Sequence, residues 1–430
     1  MILANGKIYD SSEQNNILNR LEDEINKTRL SLTLDTEKVI DAADTLGKKI
    51  AAGEFNDIIA EFLGDTPEEY LKLATDFMNG SNLRFRIETE LGKNYSAQNT
   101  ITPPYGIKQA VVKLMPLGTL FHIAAGNMDG LPAFSVLEGL LTGNINILKL
   151  PQADNGLTIE IFRKLIEIEP SLAPFIYVFD TSSSDVSAMK KMAEMSDGIA
   201  VWGGDAAVSA VRALAPTGAK IIEWGHKLGF AYISGYENKN DELTALAKHI
   251  IDTRQLLCSS CQTIFIDTED MSDVTAFCRE FLPYLEAAEK ENPITETGAI
   301  AEMSLRRYTE QLESFLGKSS NGKKHFQGTR CSLTVCEDNT LELSYMYGNC
   351  LVKRLPQNKI MSVLRKSKGY LQTAGLICSP DKRAELTDII ANAGVNRIMS
   401  ARNMSVTFCG EAHDGEYPLR RYMRAVNIEQ

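Results

Sequence analysis

No run of uncharged apolar residues in this chain is long enough to span a bilayer, for which about 20 are needed. The start, Met1-Ile-Leu-Ala-Asn-Gly-Lys7, has neither the positive lead nor the apolar core of a secretion signal. Basic residues are in the minority. Lys and Arg number 45 against 56 Asp and Glu, a formal net charge of −11. That balance disfavours nucleic acid, whose phosphates need clustered cations. It leaves room for a small basic site that takes an anionic cofactor. The eight cysteines are scattered rather than set in a framework, so the expectation is a cytoplasmic protein with reduced thiols. Cys258-Ser-Ser-Cys261 has the CxxC spacing of a redox pair or half a zinc site, but no second pair or nearby histidine completes a metal set. A G-x-G-x-x-G dinucleotide fingerprint is also missing.

What is present is ordinary globular material, 44% apolar and 23% charged over 430 residues, enough for two or three domains. Residues 11 to about 95 are helical in pattern, with Ile17, Leu18, Leu21 and Ile25 on one face and Thr66-Pro67-Glu68-Glu69 as a capping box. Strands are predicted at 109–115 and 118–123, then an alternation: strand 145–148, helix 157–168, strand 175–179, helix 185–195, strand 198–202, helix 205–214, strand 220–222. A second series follows: strand 230–233, helix 240–254, strand 263–266, helices 273–285 (bent or broken at Pro283) and 303–316. After it come an extended pair over 341–355, helix 357–366, strand 371–378, helix 381–393 and strand 397–399. This alternation predicts an α/β protein with two parallel-sheet domains behind a helical N-terminal region. No internal repeat or low-complexity segment is apparent.

Five points in this pattern carry chemistry. Each has an ordinary reading beside the functional one. Asn127 follows an apolar strand in Phe121-His-Ile-Ala-Ala-Gly126-Asn127; its amide can stabilise an oxyanion, or the pair is simply a turn. Lys149 closes a buried strand before Pro151, at a ligand-binding rim or merely in solvent. Gly203-Gly204-Asp205 precede a helix, where glycines let phosphate approach free N–H groups, although Asp205 can equally be the N-cap. Glu223 ends an apolar strand in Glu223-Trp-Gly225-His226-Lys227-Leu-Gly229 and is placed to act as a base, or it is a solvated strand end. Cys258 sits in a polar turn between a helix and a buried strand, as a nucleophile or as one more small apolar residue.

Taken in order, Asn127, Lys149, Gly203-Gly204, Glu223 and Cys258 resemble the aldehyde dehydrogenase superfamily over about residues 105–400. That superfamily has an asparagine, an L-K-P lysine, a glycine pair, an E-L-G-G-K glutamate and a cysteine at similar intervals. Within it, Leu257-Cys258-Ser-Ser-Cys261-Gln262 is similar to the A-C-x-S-P-Q segment of the acyl-CoA reductases, the family that makes aldehydes in bacterial bioluminescence. Here Cys261 replaces the proline. The tail, Gly394-Val-Asn-Arg-Ile398 and Glu411-Ala-His413-Asp414-Gly415-Glu-Tyr-Pro418-Leu419, also looks like that family's ending. The superfamily's E-x-F-G-P segment is poorly kept. Met346-Tyr347-Gly348-Asn349 stands in its place, with no glutamate at the matching point.

The resemblance implies an aldehyde-dehydrogenase-like fold. Residues 1–225 would hold the helical region and a nucleotide-binding domain, to which the tail 405–430 returns. Residues 226–404 would hold the catalytic domain. It also implies reduction of a long-chain fatty acyl-CoA or acyl-carrier thioester to the aldehyde. Cys258 would be the nucleophile, Asn127 the oxyanion donor and Glu223 the proton carrier. Cofactor contacts are implied for His122, Ile123, Ala124, Lys149, Gln152, Gly203, Gly204 and Asp205. NAD-preferring relatives often carry a glutamate where this chain has Gln152. Without that carboxylate, and with Lys149 beside it, NADPH is favoured over NADH. An acyl-transferring partner protein and a homo-oligomer are further implications. Competing readings are a CoA-acylating aldehyde dehydrogenase acting on shorter acyl groups, a catalytically idle scaffold, and a metal or disulfide protein using Cys258 and Cys261.

Overall fold

The computed structural model describes residues 1–63, 68–102, 104–105, 109–124, 130–316 and 323–429. The chain divides into two compact units, one of Met1–Gly225 with Phe408–Gln430 and one of His226–Thr407. Among the described residues no helix is long and apolar enough to cross a membrane.

The first unit opens with a hairpin, β1 (Ile2–Ala4) and β2 (Lys7–Tyr9). Its two-residue turn is Asn5-Gly6, both at positive φ (48° and 75°), the geometry that matches strand twist. Helices α1 (Gln14–Ser31), α2 (Thr36–Ala51), α3 (Asn56–Leu63), α4 (Glu68–Met78) and α5 (Gly80–Leu91) follow. Each of α1 and α2 buries one apolar stripe, Ile17-Leu18-Leu21-Ile25 and Val39-Ile40-Ala43-Leu46. Asn79 caps α5, its side chain accepting from the N–H groups of Ser81 and Asn82. The capping box expected at Thr66-Pro67 lies outside the described residues.

After β3 (Asn99–Ile101) and β4 (Ala110–Pro116) comes the alternating core. It runs β5 (Thr119–Ile123), α6 (Leu131–Leu141), β6 (Ile145–Lys149), α7 (Leu157–Ile168), β7 (Ile176–Phe179), α8 (Val186–Glu194), β8 (Gly198–Trp202), α9 (Asp205–Leu214) and β9 (Lys220–Trp224). The sheet order is β2-β1-β7-β6-β5-β8-β9, with β7-β6-β5-β8-β9 parallel. The C-terminal strand Met423–Glu429 returns to pair antiparallel with β4. Strand β9 runs to Trp224 rather than stopping at Ile222, so Glu223 lies inside the strand. The hairpin and α6 had no counterpart in the sequence-based elements. Helix α6 is buried at nearly every position and so lacks an amphipathic stripe.

The second unit contains β10 (Leu228–Ser234), α10 (Lys239–Asp252), β11 (Cys261–Ile266), α11 (Met271–Glu291), α12 (Thr297–Phe315), β12 (Lys324–Gln327), β13 (Ser332–Val335), β14 (Asn349–Arg354), α13 (Ile360–Leu364), β15 (Leu371–Cys378), α14 (Arg383–Asn392) and β16 (Arg397–Met399). Its sheet order is β12-β13-β14-β11-β10-β15-β16, parallel except at β12. Three expectations are corrected. Residues 341–355 are not an extended pair, since β14 alone is a strand and it pairs parallel with β11 and β13. Pro283 neither breaks nor ends α11, which continues to Glu291. The helix expected over 357–366 is a short α-turn between two 3₁₀ turns. The architecture is α/β with two largely parallel sheets.

Candidate functional site

In the first unit, β5 is the strand from which the sheet winds both ways, to β6 and β7 on one side and to β8 and β9 on the other. Ligands of such sheets lie at the carboxyl ends of the strands beside this switch point. The parallel register sets Phe179, Lys149, Ile123, Val201 and Glu223 in one row across five adjacent strands. Ala124 and Gly203-Gly204 follow immediately past the ends of β5 and β8. Thus His122, Ile123, Ala124, Lys149, Gly203, Gly204 and Glu223 occupy one edge of one sheet.

The edge has the makings of an anion site. Gly204 is the N-cap of α9 and lends it no side-chain cap. A Cβ at Gly204 would meet nothing within 4 Å, so the approach to the first helical N–H groups is open. Asp205 is therefore the first helical residue rather than the cap; its carboxylate favours the helix dipole but competes with an incoming phosphate. Lys149 is only 4% exposed, and its Nζ donates to Ser183 Oγ at 2.8 Å. Burial pushes its pKa down. A cation so enclosed, with a neutral hydroxyl as its hydrogen-bond partner among the described residues, is suited to an anionic or polyhydroxyl ligand. Gln152 lies exposed in the turn after Pro151. These residues fit a nucleotide: glycines and helix N-terminus for a diphosphate, Lys149 for a ribose.

His122 behaves differently. Its imidazole is fully enclosed, with Nδ1 2.8 Å from Ser135 Oγ and Nε2 3.0 Å from Asn146 Oδ1. The Asn146 amide is oriented because its Nδ2 donates to the carbonyls of Asn144 and Phe175. Trp202 Nε1 donates to Ser135 Oγ at 2.9 Å. The network assigns the tautomer: Ser135 donates to Nδ1 and Nε2–H donates to Asn146. Burial holds the ring pKa down to about 4, hence neutral. The side chain of His122 is thus a strut behind the edge, and only its backbone is left to meet a cofactor. Trp202 packs on Trp224 (centroids 5.4 Å apart), and His413 from the returning tail lies 5.0 Å from Trp224.

Glu223 is held by Arg212 of α9 in a two-pronged pair, Nε to Oε1 and Nη2 to Oε2, the latter at 2.7 Å. Such a two-pronged pair engages both oxygens and fixes the plane of the carboxylate. Asn127 lies outside the described residues.

In the second unit, Cys258 lies in the turn that joins α10 to β11. Of the eight cysteines, all among the described residues, it is the exposed one; Cys261 is fully buried on β11. The turn is tightly fixed. Arg254 and Gln255 adopt left-handed φ values of 49° and 60°, unusual for residues with a Cβ. Arg254 anchors the turn through hydrogen bonds to Ile251 O, Pro293 O and the Asn292 side chain. Gln255 is 1% exposed and ties four segments together. Its Nε2 donates to Cys261 O (2.8 Å) and Ser344 Oγ (3.0 Å), and its Oε1 accepts from Gly348 N (3.0 Å). Gln262 Nε2 in turn donates to Gln255 O at 2.7 Å. Cys261 N donates to His249 Nε2, an imidazole whose pKa burial lowers to about 4. Gly229 on β10 permits the close approach, since a Cβ there would lie 2.5 Å from Ser260 O.

The segment Met346-Tyr347-Gly348-Asn349 is thus bound to the cysteine turn, through Gly348 N to Gln255 and Tyr347 N to Arg254 O. Sequence reasoning missed Gln255, Ser344, Ser135, Ser183 and Arg212. Two uncharged glutamines flanking a cysteine turn were the available signal for the first of these. Among the described residues, the side chains grouped closely enough to hold a metal are Cys336, Asp338 and Glu342, and the buried Lys353 ammonium already bonds both acids.

The sequence matches the acyl-CoA reductase (LuxC) family over residues 32–425. Similar proteins include a long-chain acyl-protein thioester reductase of Vibrio harveyi, 23% identical over 351 residues that cover 80% of this chain and 70% of that one. Another is long-chain acyl-protein thioester reductase 2 of Photobacterium leiognathi, 24% identical over 390 residues (86% and 77%). Among solved structures, methylmalonate-semialdehyde dehydrogenase from Oceanimonas doudoroffii aligns with a TM-score of 0.75 at 13% identity, covering 100% of this chain and 97% of that one. Betaine aldehyde dehydrogenase from Staphylococcus aureus in complex with NAD+ aligns at 0.71 and 14% identity (97% and 87%). The fold is therefore that of the aldehyde dehydrogenases.

Proposed function

The chain belongs to the acyl-CoA reductase (LuxC) family, and from that membership we propose that it reduces a long-chain fatty acyl thioester to the aldehyde, with NADPH as reductant. The observation that carries the reading is the exposed Cys258 thiol on a turn fixed from all sides. A nucleophile that need not be reoriented attacks with little entropy cost.

The Cys258 thiolate adds to the thioester carbonyl, and Asn127 is the amide donor assigned to the resulting oxyanion. The bond to the donor sulfur breaks, that thiolate takes a proton, and an acyl group remains on Cys258. A reduced nicotinamide, when bound, supplies the hydride that converts the acyl group to the aldehyde. Cys258 then leaves as thiolate. Lys149, Gln152, Gly203 and Gly204 are the residues that would hold the nucleotide. Lys149 and the absence of a carboxylate at Gln152 support NADPH.

Glu223 is the proton carrier in this scheme, moving protons to and from the cysteine and the departing thiolate. Glu223→Gln is expected to slow turnover by roughly 10²- to 10⁴-fold and to leave the extent of acyl trapping on Cys258 in the absence of cofactor largely intact. Unchanged turnover of Glu223→Gln, in single-turnover experiments with cofactor, would remove Glu223 from proton transfer.

The function is tested by following NADPH consumption and aldehyde release with a panel of acyl thioesters. Long-chain donors should turn over best. A preference for acetyl or propionyl donors would favour a CoA-acylating dehydrogenase, and no turnover or acylation with any donor would favour a scaffold. Cofactor choice is read by calorimetric titration. The full chain should bind 2′,5′-ADP more tightly than 5′-AMP, and Lys149→Ala should weaken 2′,5′-ADP by roughly 10- to 100-fold, the cost of a charge-assisted contact. Equal binding of the two nucleotides would rule against NADPH preference.

A further inference from the structure

Leu256 and Leu257, directly before the cysteine, are 49% and 45% exposed, and Val406 is 61% exposed. One exposed leucine needs no account. Here the three sit on backbone that has no freedom to hide them. Leu256 N donates to Thr253 O at 3.0 Å, and Leu257 N to Ser260 Oγ at 3.1 Å. The Val406 segment is fastened to the same turn, since Ser405 Oγ and Ser259 Oγ are 2.8 Å apart. It is fixed from behind by the buried Arg397, whose Nη2 donates to Val406 O at 2.8 Å and whose Nη1 donates to Met404 O at 2.7 Å. Neither stretch, Gln255–Gln262 or Met404–Thr407, contains a charged residue. The cation nearest in sequence to the first stretch, Arg254, is committed to Asn292, Pro293 and Glu296; the one nearest to the second, Arg402, stands two residues before Met404 and is exposed.

We propose that Leu256, Leu257 and Val406 form the apolar bed that receives the acyl chain of the thioester and sets its preferred length. This rests on the acyl-reductase reading given above. The occupant follows from the covalent chemistry. When the donor C–S bond breaks and the Cys258 Sγ–C bond forms, the first carbons of the chain are held beside the cysteine, and a saturated chain offers only apolar surface. Each methylene taken out of water is worth roughly fourfold in affinity, so three apolar side chains there are enough to discriminate between chain lengths.

The test uses the full chain without cofactor, mixed with acetyl-CoA or dodecanoyl-CoA. Released CoA thiol gives the rate, and intact mass gives the acylation of Cys258. The unaltered chain should favour dodecanoyl-CoA. Leu257→Ser and Val406→Ser should each lower the ratio of dodecanoyl to acetyl rates about tenfold, whereas Val406→Leu should keep it. Because these side chains are exposed, the serine variants should keep the melting temperature of the parent. An unchanged ratio, or equal loss of both rates, overturns the assignment while leaving the acyl-reductase reading in place. Acylation by neither donor in the unaltered chain removes both.

Discussion

Cys258→Ala is expected to abolish covalent acylation and to lower reductase turnover on the order of 10⁶-fold, the scale seen when a nucleophile is deleted. Cys261→Ala, three residues on, should keep most of both activities. Their surroundings give the physical difference. Cys258 is exposed on a fixed turn, whereas the Cys261 sulfur is enclosed in the core of the second sheet, 3.6 Å from Thr263 O. Removing a buried sulfur leaves a small void and costs stability of about 1 kcal/mol rather than chemistry. The measurement is intact mass after incubation with an acyl-CoA, beside steady-state NADPH consumption. Equal loss in the two variants would mean that the thiols act jointly.

Arg86→Leu is expected to lower the stability of the first unit by about 3–5 kcal/mol, the range for a buried pair that loses one member. Arg86 is buried on α5 between two buried carboxylates. It donates to Glu90 Oε1 at 2.6 Å and to Glu138 of α6. Glu90 Oε2 accepts from Leu419 N at 2.7 Å, and Glu138 Oε2 accepts from Tyr422 OH at 3.2 Å. One guanidinium therefore joins the helical region, the sheet-covering helix α6 and the returning tail. Burial already pushes Glu138 upward from the ordinary carboxylate value, with Arg86 opposing it. Without Arg86 the carboxyl is driven further toward its neutral form. That neutral form is tolerated in acid, so the deficit should be smallest there and should grow as pH rises above the carboxylate range. Adding Glu138→Gln to Arg86→Leu should recover part of the loss. Denaturant unfolding at several pH values decides it, and a deficit below about 1 kcal/mol at neutral pH would show the cluster to be incidental.

Much of the fold was legible because parallel strands buried on both faces read as short apolar runs between amphipathic helices. Leu157–Ile168, Gly198–Trp202, Asp205–Leu214 and Leu371–Cys378 carry that signal, and the structure has elements with those bounds. Where the signal failed, a specific cause can be named. Helix α6 is buried on nearly all sides, Ser135 and Glu138 included, and shows no stripe. Strand β1 is three residues long, and the Asn5-Gly6 turn beside it was the cue that the hairpin offered. Residues 341–348 contain alternating apolar positions, but Gln255 and Gln262 draw Ser344 into side-chain hydrogen bonds instead of a strand ladder. For the site, the row from Lys149 to Glu223 was approachable because strand ends recur at regular intervals. The grip of Arg212 on Glu223 and the fixing of the cysteine turn by Gln255 depend on contacts between elements, and no spacing along the chain encodes them.

The chain has two tryptophans, and both belong to the tilted ring pair at the ends of β8 and β9, with Arg421 5.5 Å above one ring. Indole emission therefore comes from the first unit alone. A denaturation curve recorded by that emission reports one unit, whereas circular dichroism averages over two. Where the two curves separate, the interval between them measures how independently the halves melt, with no label added.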